Sequence, residues 1–81
     1  MYYLYILLCS NNSLYTGITN DLEARFEKHR SGKGSKYVRA NLPFKHIYTE
    51  EHPNRSEAQK REAEVKGWDR SSKISNLQLK L

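Results

Sequence analysis

A single cysteine, Cys9, is too few for an internal disulfide, and the three histidines have no C-x-x-C pair beside them to suggest structural zinc. Two prolines and four glycines in 81 residues exclude a collagenous or low-complexity chain. Long hydrophobic runs are missing too. The longest, Tyr2 to Cys9, falls well short of the ~20 residues that cross a bilayer. It also lacks the basic flank and small-residue cleavage site of a signal peptide. These absences predict one domain over residues 1–81 with one core, in a reducing cytoplasm, with neither a membrane partner nor a small-molecule cofactor. A chain this short buries ~60% of its unfolded surface.

Acidic residues are absent where basic ones gather. Lys28, Arg30, Lys33, Lys36, Arg39 and Lys45 stand in a stretch without one Asp or Glu, whereas Glu50 to Asp69 holds six of the nine acids. The formal net charge of +5 is therefore segregated as well as positive, which favours an anionic partner. A charge run of this kind also serves simply as a solvated surface. Tyr37 and two glycines argue for more: the segment Gly-Lys-Gly-Ser-Lys-Tyr can follow a phosphate backbone while its ring stacks on a base. Lys33, Lys36, Tyr37 and Arg39 are the candidate nucleic-acid contacts.

Six tyrosines are present, four of them in two strand-like segments. Tyr2 to Cys9 and Leu14 to Thr19 read as a hairpin joined by Ser10-Asn11-Asn12-Ser13. Asn20 is placed to cap a helix from Asp21 to about Arg30, with Glu23 completing a capping box, and Ser31-Gly32 ends it. The basic loop follows. Pro43 opens a third strand, Phe44 to Thr49, with Phe44, His46 and Tyr48 expected on one face and Lys45 and Ile47 on the other. Ser56 is the expected cap of a second helix that Gly67 stops, and Asp69 caps a third carrying Ile74, Leu77 and Leu81. The fold class is α/β (α+β): a small three-stranded antiparallel sheet flanked by helices in the order β-β-α-β-α-α.

Helical geometry singles out the misplaced polar residues. At ~100° per residue, Leu22, Arg25, Phe26 and His29 share about a third of the circumference, so Arg25 and His29 flank an apolar stripe. A guanidinium there calls for an anionic or aromatic partner. Glu62 lies between Ala58 and Val65 on the second helix, and a half-buried carboxylate needs a cation, a metal or hydrogen-bond donors. An ion pair with Arg25 or His29 is the purely structural way to supply one. Each tyrosine taken alone is ordinary strand packing. Cys9 reads as a small apolar filler, and Trp68 as a lid on the helix junction.

Taken in order, Tyr5, Tyr15, Gly17, Arg25, His29 and Glu62 resemble the signature of the GIY-YIG nuclease superfamily. Tyr3-Leu4-Tyr5 stands at its first tripeptide and Tyr15-Thr16-Gly17 at its Tyr-Ile-Gly. Arg25, His29 and Glu62 match its arginine, histidine and glutamate. The phrases Tyr-Ile-Leu-Leu-Cys, Leu-Tyr-Thr-Gly-Ile-Thr, Gly-Lys-Gly-Ser-Lys-Tyr and Arg-Ser-Glu-Ala resemble a group of small single-domain bacterial members. Tyr3 and Leu4 depart from the family's glycine and isoleucine, and Asn76 is only a loose match to an asparagine many members carry.

The resemblance implies a divalent-metal-dependent endonuclease that hydrolyses DNA phosphodiesters, nicking with low sequence specificity or with preference for branched, nicked or single-stranded DNA. It implies that Glu62 holds Mg²⁺ or Mn²⁺, that Arg25 stabilises charge growing on the phosphate, and that Tyr5 takes the proton of the attacking water. The last role requires a phenol depressed below about 10, with Arg25 the expected cause. Tyr15 and His29 would position water or phosphate or relay a proton, and Gly17 would be structural. A monomer or weak dimer is expected. The alternative is a binding module that keeps the nuclease fold and does not cut.

Overall fold

The computed structural model describes residues 1–81. Strand β1 (Tyr2–Cys9) is followed by β2 (Leu14–Thr19), α1 (Leu22–Arg30), α2 (Lys36–Ala40), β3 (Phe44–His52), α3 (Arg55–Lys66) and α4 (Arg70–Leu77). The sheet is antiparallel with order β2-β1-β3, so the most apolar strand lies in the middle. Alternation of side chains then divides the core into two layers. Leu4 and Ile6 face α3 and α4 through Val65, Leu77 and Leu79. Tyr5, Leu7 and Cys9 face the other way, against Phe26 of α1 and Val38 of α2.

Both hairpin strands match the expected boundaries, because they are set locally by turn residues between apolar runs. The helix starts differ. Asp21, not Asn20, caps α1, its carboxylate accepting from Ala24 N at 3.0 Å. Asn54, not Ser56, caps α3, accepting from Glu57 N at 3.0 Å. Either cap satisfies an N–H that would otherwise lack a partner, which is typically worth ~1 kcal/mol. Asp69 does cap α4. That helix ends on Gln78 at φ 53, with Leu79 N bonded to Ile74 O, so the chain turns back and buries Leu79. Leu81, expected on this helix, lies beyond its end and is exposed.

The basic segment is not a plain loop. Ser35 accepts from Tyr37 N and starts α2, which drops Val38 into the core beside Tyr5 and Leu7. Strand β3 runs three residues past Thr49, and its alternation is broken once. Leu7 pairs with His46 and Ile6 with Tyr48, leaving Ile47 as the extra residue of a β-bulge. Phe44 and His46 therefore face α1, with the His46 ring 4.6 Å from that of Phe26, while Tyr48 faces α3. The bulge is why the expected single face for Phe44, His46 and Tyr48 does not form.

On the α3 side, Glu50 ties β3 to α3. It accepts from Tyr48 at 2.6 Å and from Arg61 Nε at 3.0 Å, and it lies 2.6 Å from His52 Nε2. Arg61 also pairs with Glu64 and lies over the Trp68 ring at 5.3 Å. Burial alone would push the Glu50 carboxyl up. The bonds from Tyr48, Arg61 and His52, with the Arg61 charge, bring it below its ordinary value instead. Trp68 packs on the α3–α4 core cluster, where a lid on the helix junction belongs.

Candidate active site

Strand pairing places Tyr5 directly opposite Gly17. A Cβ at Gly17 would stand 2.5 Å from Tyr5 Oη, so the phenol lies over this residue and needs it bare. From there Tyr5 Oη reaches His29 Nε2 at 2.9 Å, inside the fold. Both are almost fully covered, at 1% exposure each. The other face of the imidazole is closed by the basic segment. Ser35 N–H approaches Nδ1 at 3.5 Å, and a Cβ on Gly34 would stand 2.5 Å from the same atom. Accepting at Nδ1 leaves the ring proton of a neutral imidazole on Nε2, which then donates to Tyr5 Oη.

Tyr15 borders the pair, its ring 6.4 Å from Tyr5 and 5.6 Å from His29. It is half-buried, and its hydroxyl makes no hydrogen bond within the chain. Tyr37 stacks against it at 6.4 Å with 15° between planes, while its own hydroxyl meets Ser13 and Asn11 of the β1–β2 turn. Tyr37 is thus a fixed, 44% exposed ring, not a swinging one. Lys33, Lys36 and Arg39 are exposed on the same segment without ion-pair partners, and Gly32 at φ 80 packs against the Arg39 stem.

The side chain of Arg25, half-buried on α1, has no ion pair or hydrogen bond in the structure. Its charge nevertheless acts on both Tyr5 and His29. Burial lowers the His29 imidazole below its ordinary value, and Arg25 lowers it further. Burial raises the Tyr5 phenol far above its ordinary value; Tyr15 and Glu62 add to the rise, and Arg25 opposes it without reversing it. A depressed Tyr5 phenol is therefore corrected to a raised one, because desolvation of so covered a group outweighs one guanidinium.

Glu62 reaches Tyr5 electrostatically from α3 and is 22% exposed. It does not pair with Arg25 or His29. Its partner is Lys66, one turn along the same helix, at 3.2 Å. No group of three or more His, Cys, Asp and Glu side chains is assembled anywhere, so there is no preformed cage. One half-exposed carboxylate suits a hard cation that keeps its waters and completes its shell with a phosphate. Asn76 is exposed on α4 and hydrogen-bonds to none of these residues. Cys9 is buried with its thiol pushed up, which makes it inert as a nucleophile. The sequence alone cast Gly34 and Ser35 only as part of a segment able to follow a phosphate backbone, although a Gly-x-Gly-Ser return five residues past a stripe-edge histidine was a usable signal.

Residues 1–75 match the model of the GIY-YIG catalytic domain. The chain belongs to that family. It is 48% identical over 73 residues to a UPF0213 protein of Streptococcus sanguinis, covering 90% of this chain and 84% of that one. Two solution NMR structures share the fold. The UPF0213 protein BH0048 from Bacillus halodurans superposes with a TM-score of 0.63 at 43% identity, over 96% of this chain and 84% of the other. The E. faecalis protein EF2693 gives 0.69 at 42% identity, over 95% and 82%. The antiparallel sheet with flanking helices is thus common to small bacterial proteins of this kind.

Proposed function

We propose that the protein is a divalent-metal-dependent endonuclease that nicks DNA with low sequence specificity or with preference for branched, nicked or single-stranded forms. The observation that carries this reading is the convergence of Tyr5, Tyr15, His29 and the fields of Arg25 and Glu62 beside the basic segment that carries Tyr37. Glu62 would hold Mg²⁺ or Mn²⁺, which supplies Lewis-acid stabilisation of the departing oxygen. The remaining work falls to the chain itself. Arg25, free of any internal partner, is available to the charge growing on the phosphate, a role in which a lost donor costs ~2.7–4 kcal/mol of barrier. Tyr15, with its free hydroxyl at the rim, orients the water or a phosphate oxygen.

Tyr5 rests as a neutral phenol. Because Nε2–H of His29 already donates to its oxygen, its hydroxyl hydrogen is not committed to the imidazole. Once ionised, the same bond and Arg25 stabilise the phenolate that takes the water proton. His29 is the positioning group of that base. Lys33, Lys36 and Arg39 neutralise flanking phosphates, and the exposed ring of Tyr37 offers stacking.

The test is a cleavage assay on supercoiled, branched and single-stranded DNA with Mg²⁺ or Mn²⁺, with metal chelated, and with Glu62→Gln. Metal-dependent nicking lost in Glu62→Gln, with DNA binding retained, is the expected result. Equal activity in wild type and Glu62→Gln would refute the reading and leave a binding module that does not cut.

A further inference from the structure

At the Tyr2–Thr19 end of the sheet lies a cavity of about 190 Å³, bounded by Tyr2, Ile18, Thr19, Asn20, Arg25 and Arg55. Its position follows from the fold. Arg25 enters from α1 on one face of the sheet, and Arg55, the first residue of α3, enters from the other. Two guanidiniums line it and no carboxylate does. Neither guanidinium has an ion pair or hydrogen bond, although most acids elsewhere in the chain do find partners or caps. The Asn20 amide and the Tyr2 hydroxyl are likewise unbonded, whereas Thr19 Oγ1 is used up on Asp21.

We infer that this cavity is a second phosphate subsite, taking the backbone phosphate that flanks the scissile one, with Arg55 as its principal ligand. The inference rests on the nuclease reading for its placement, since Arg25, whose charge acts on both Tyr5 and His29, also lines the cavity. Two like charges facing one small space repel each other until an anion enters, and a guanidinium offers the fork that matches phosphate oxygens. The size agrees. Pockets for drug-sized ligands run from ~300 Å³ upward, so this one suits a phosphate with its adjoining ester oxygens and not a nucleoside. Arg55 would then fix where the strand lies relative to Arg25, which makes it a positioning residue. Unlike Lys33, Lys36 and Arg39, it approaches from the α3 side, so the bound strand crosses the end of the sheet.

The experiment uses metal-free, cleavage-silent Glu62→Gln protein and measures DNA affinity by fluorescence anisotropy across a salt series. Adding Arg55→Gln should weaken binding and reduce the slope of log affinity against log salt by about one phosphate contact. Arg55→Lys should keep the slope but recover only part of the affinity. Because Arg55 is exposed, the fold survives either change, which circular dichroism checks. In parallel, inorganic phosphate titrated into ¹⁵N-labelled wild-type protein should shift the Nε–H signals of Arg25 and Arg55 together. The subsite is refuted if the Arg55 signal stays still, or if Arg55→Gln costs no more than Lys80→Gln at the exposed C-terminal end. A wild type that fails to cut DNA would remove the nuclease reading yet leave these binding results decisive for the cavity itself.

Discussion

Tyr5 Oη and His29 Nε2 lie 2.9 Å apart in a region where both residues are 1% exposed, so the Tyr5 phenol is a covered group tied to the imidazole. Burial raises the phenol and lowers the histidine. At neutral pH only a small fraction of Tyr5 is ionised, and that fraction grows tenfold per pH unit. The log of the cleavage rate should therefore climb with a slope of about one from pH 7 to 9.5. Tyr5→Phe should cut the rate by about 10²–10⁴. A pH-independent rate in the wild type would show that Tyr5 is not the base.

The pair is held from both ends by glycine. Gly17 leaves room for Tyr5 Oη, and Gly34 leaves room for His29 Nδ1, with the missing Cβ 2.5 Å from that atom in each case. Gly17→Ala meets the end of a ring wedged in the core and must push it off His29. Gly34→Ala sits on an exposed segment and displaces the imidazole at lower structural cost. Both should lower kcat by at least ~10²-fold, a misplacement of ~1 Å being enough. Gly34→Ala should leave thermal stability within ~1 kcal/mol of wild type. Measuring kcat beside urea unfolding separates the two effects; a fully active Gly34→Ala would mean the loop does not set the histidine.

How much of this was legible depends on the range of the interaction. The hairpin was readable because Ser10 to Ser13 interrupts two apolar runs, and Gly67 and Asp69 bound their helices by local backbone demands. Caps were harder. Asn20 and Asp21 are adjacent and equally able, and only the path of the chain selects Asp21. The bulge at Ile47 follows from how β3 meets Leu7 and Ile6 across the sheet, which no window of β3 alone contains. Gly34 over His29, and the partnership of Arg25 with Arg55, require the fold to close. The resemblance placed the signature residues, but it carried no information on the sign of the Tyr5 shift, because burial and charge act in opposite directions there.

Acid should unfold the protein partly through Glu50. Its carboxyl is held below the ordinary value of 4.5, so the unfolded chain binds its proton first as pH falls. The associated stability is fully present above pH 4.5 and is lost as pH drops through the folded value. His29 behaves the same way at higher pH. Lowered from 6.5 by burial and Arg25, it disfavours the folded state as the unfolded imidazole protonates. Urea unfolding from pH 8 to 3 should show a shallow decline beginning below 6.5 and a steeper one below 4.5. Glu50→Gln should flatten the second without touching the first. An unchanged acid limb in Glu50→Gln would locate the sensitive carboxyl elsewhere.

Lys66 is the residue most able to reveal what Glu62 does. Its ammonium lies 3.2 Å from the carboxylate, where a divalent cation would have to displace it. With the lysine side chain 54% exposed, the pair itself adds little to stability. Removing the lysine therefore frees the carboxylate at small structural cost. Lys66→Ala should lower the Mg²⁺ or Mn²⁺ concentration giving half-maximal cleavage by about 2–5-fold, as expected for loss of a competing exposed pair. At saturating metal its kcat should match wild type. Glu62→Gln combined with Lys66→Ala should be as inactive as Glu62→Gln alone, since the lysine acts only through the carboxylate. An Lys66→Ala protein whose metal requirement rises would place Lys66 among the groups that bind substrate phosphate, and Glu62 would then lose its standing as the metal's ligand.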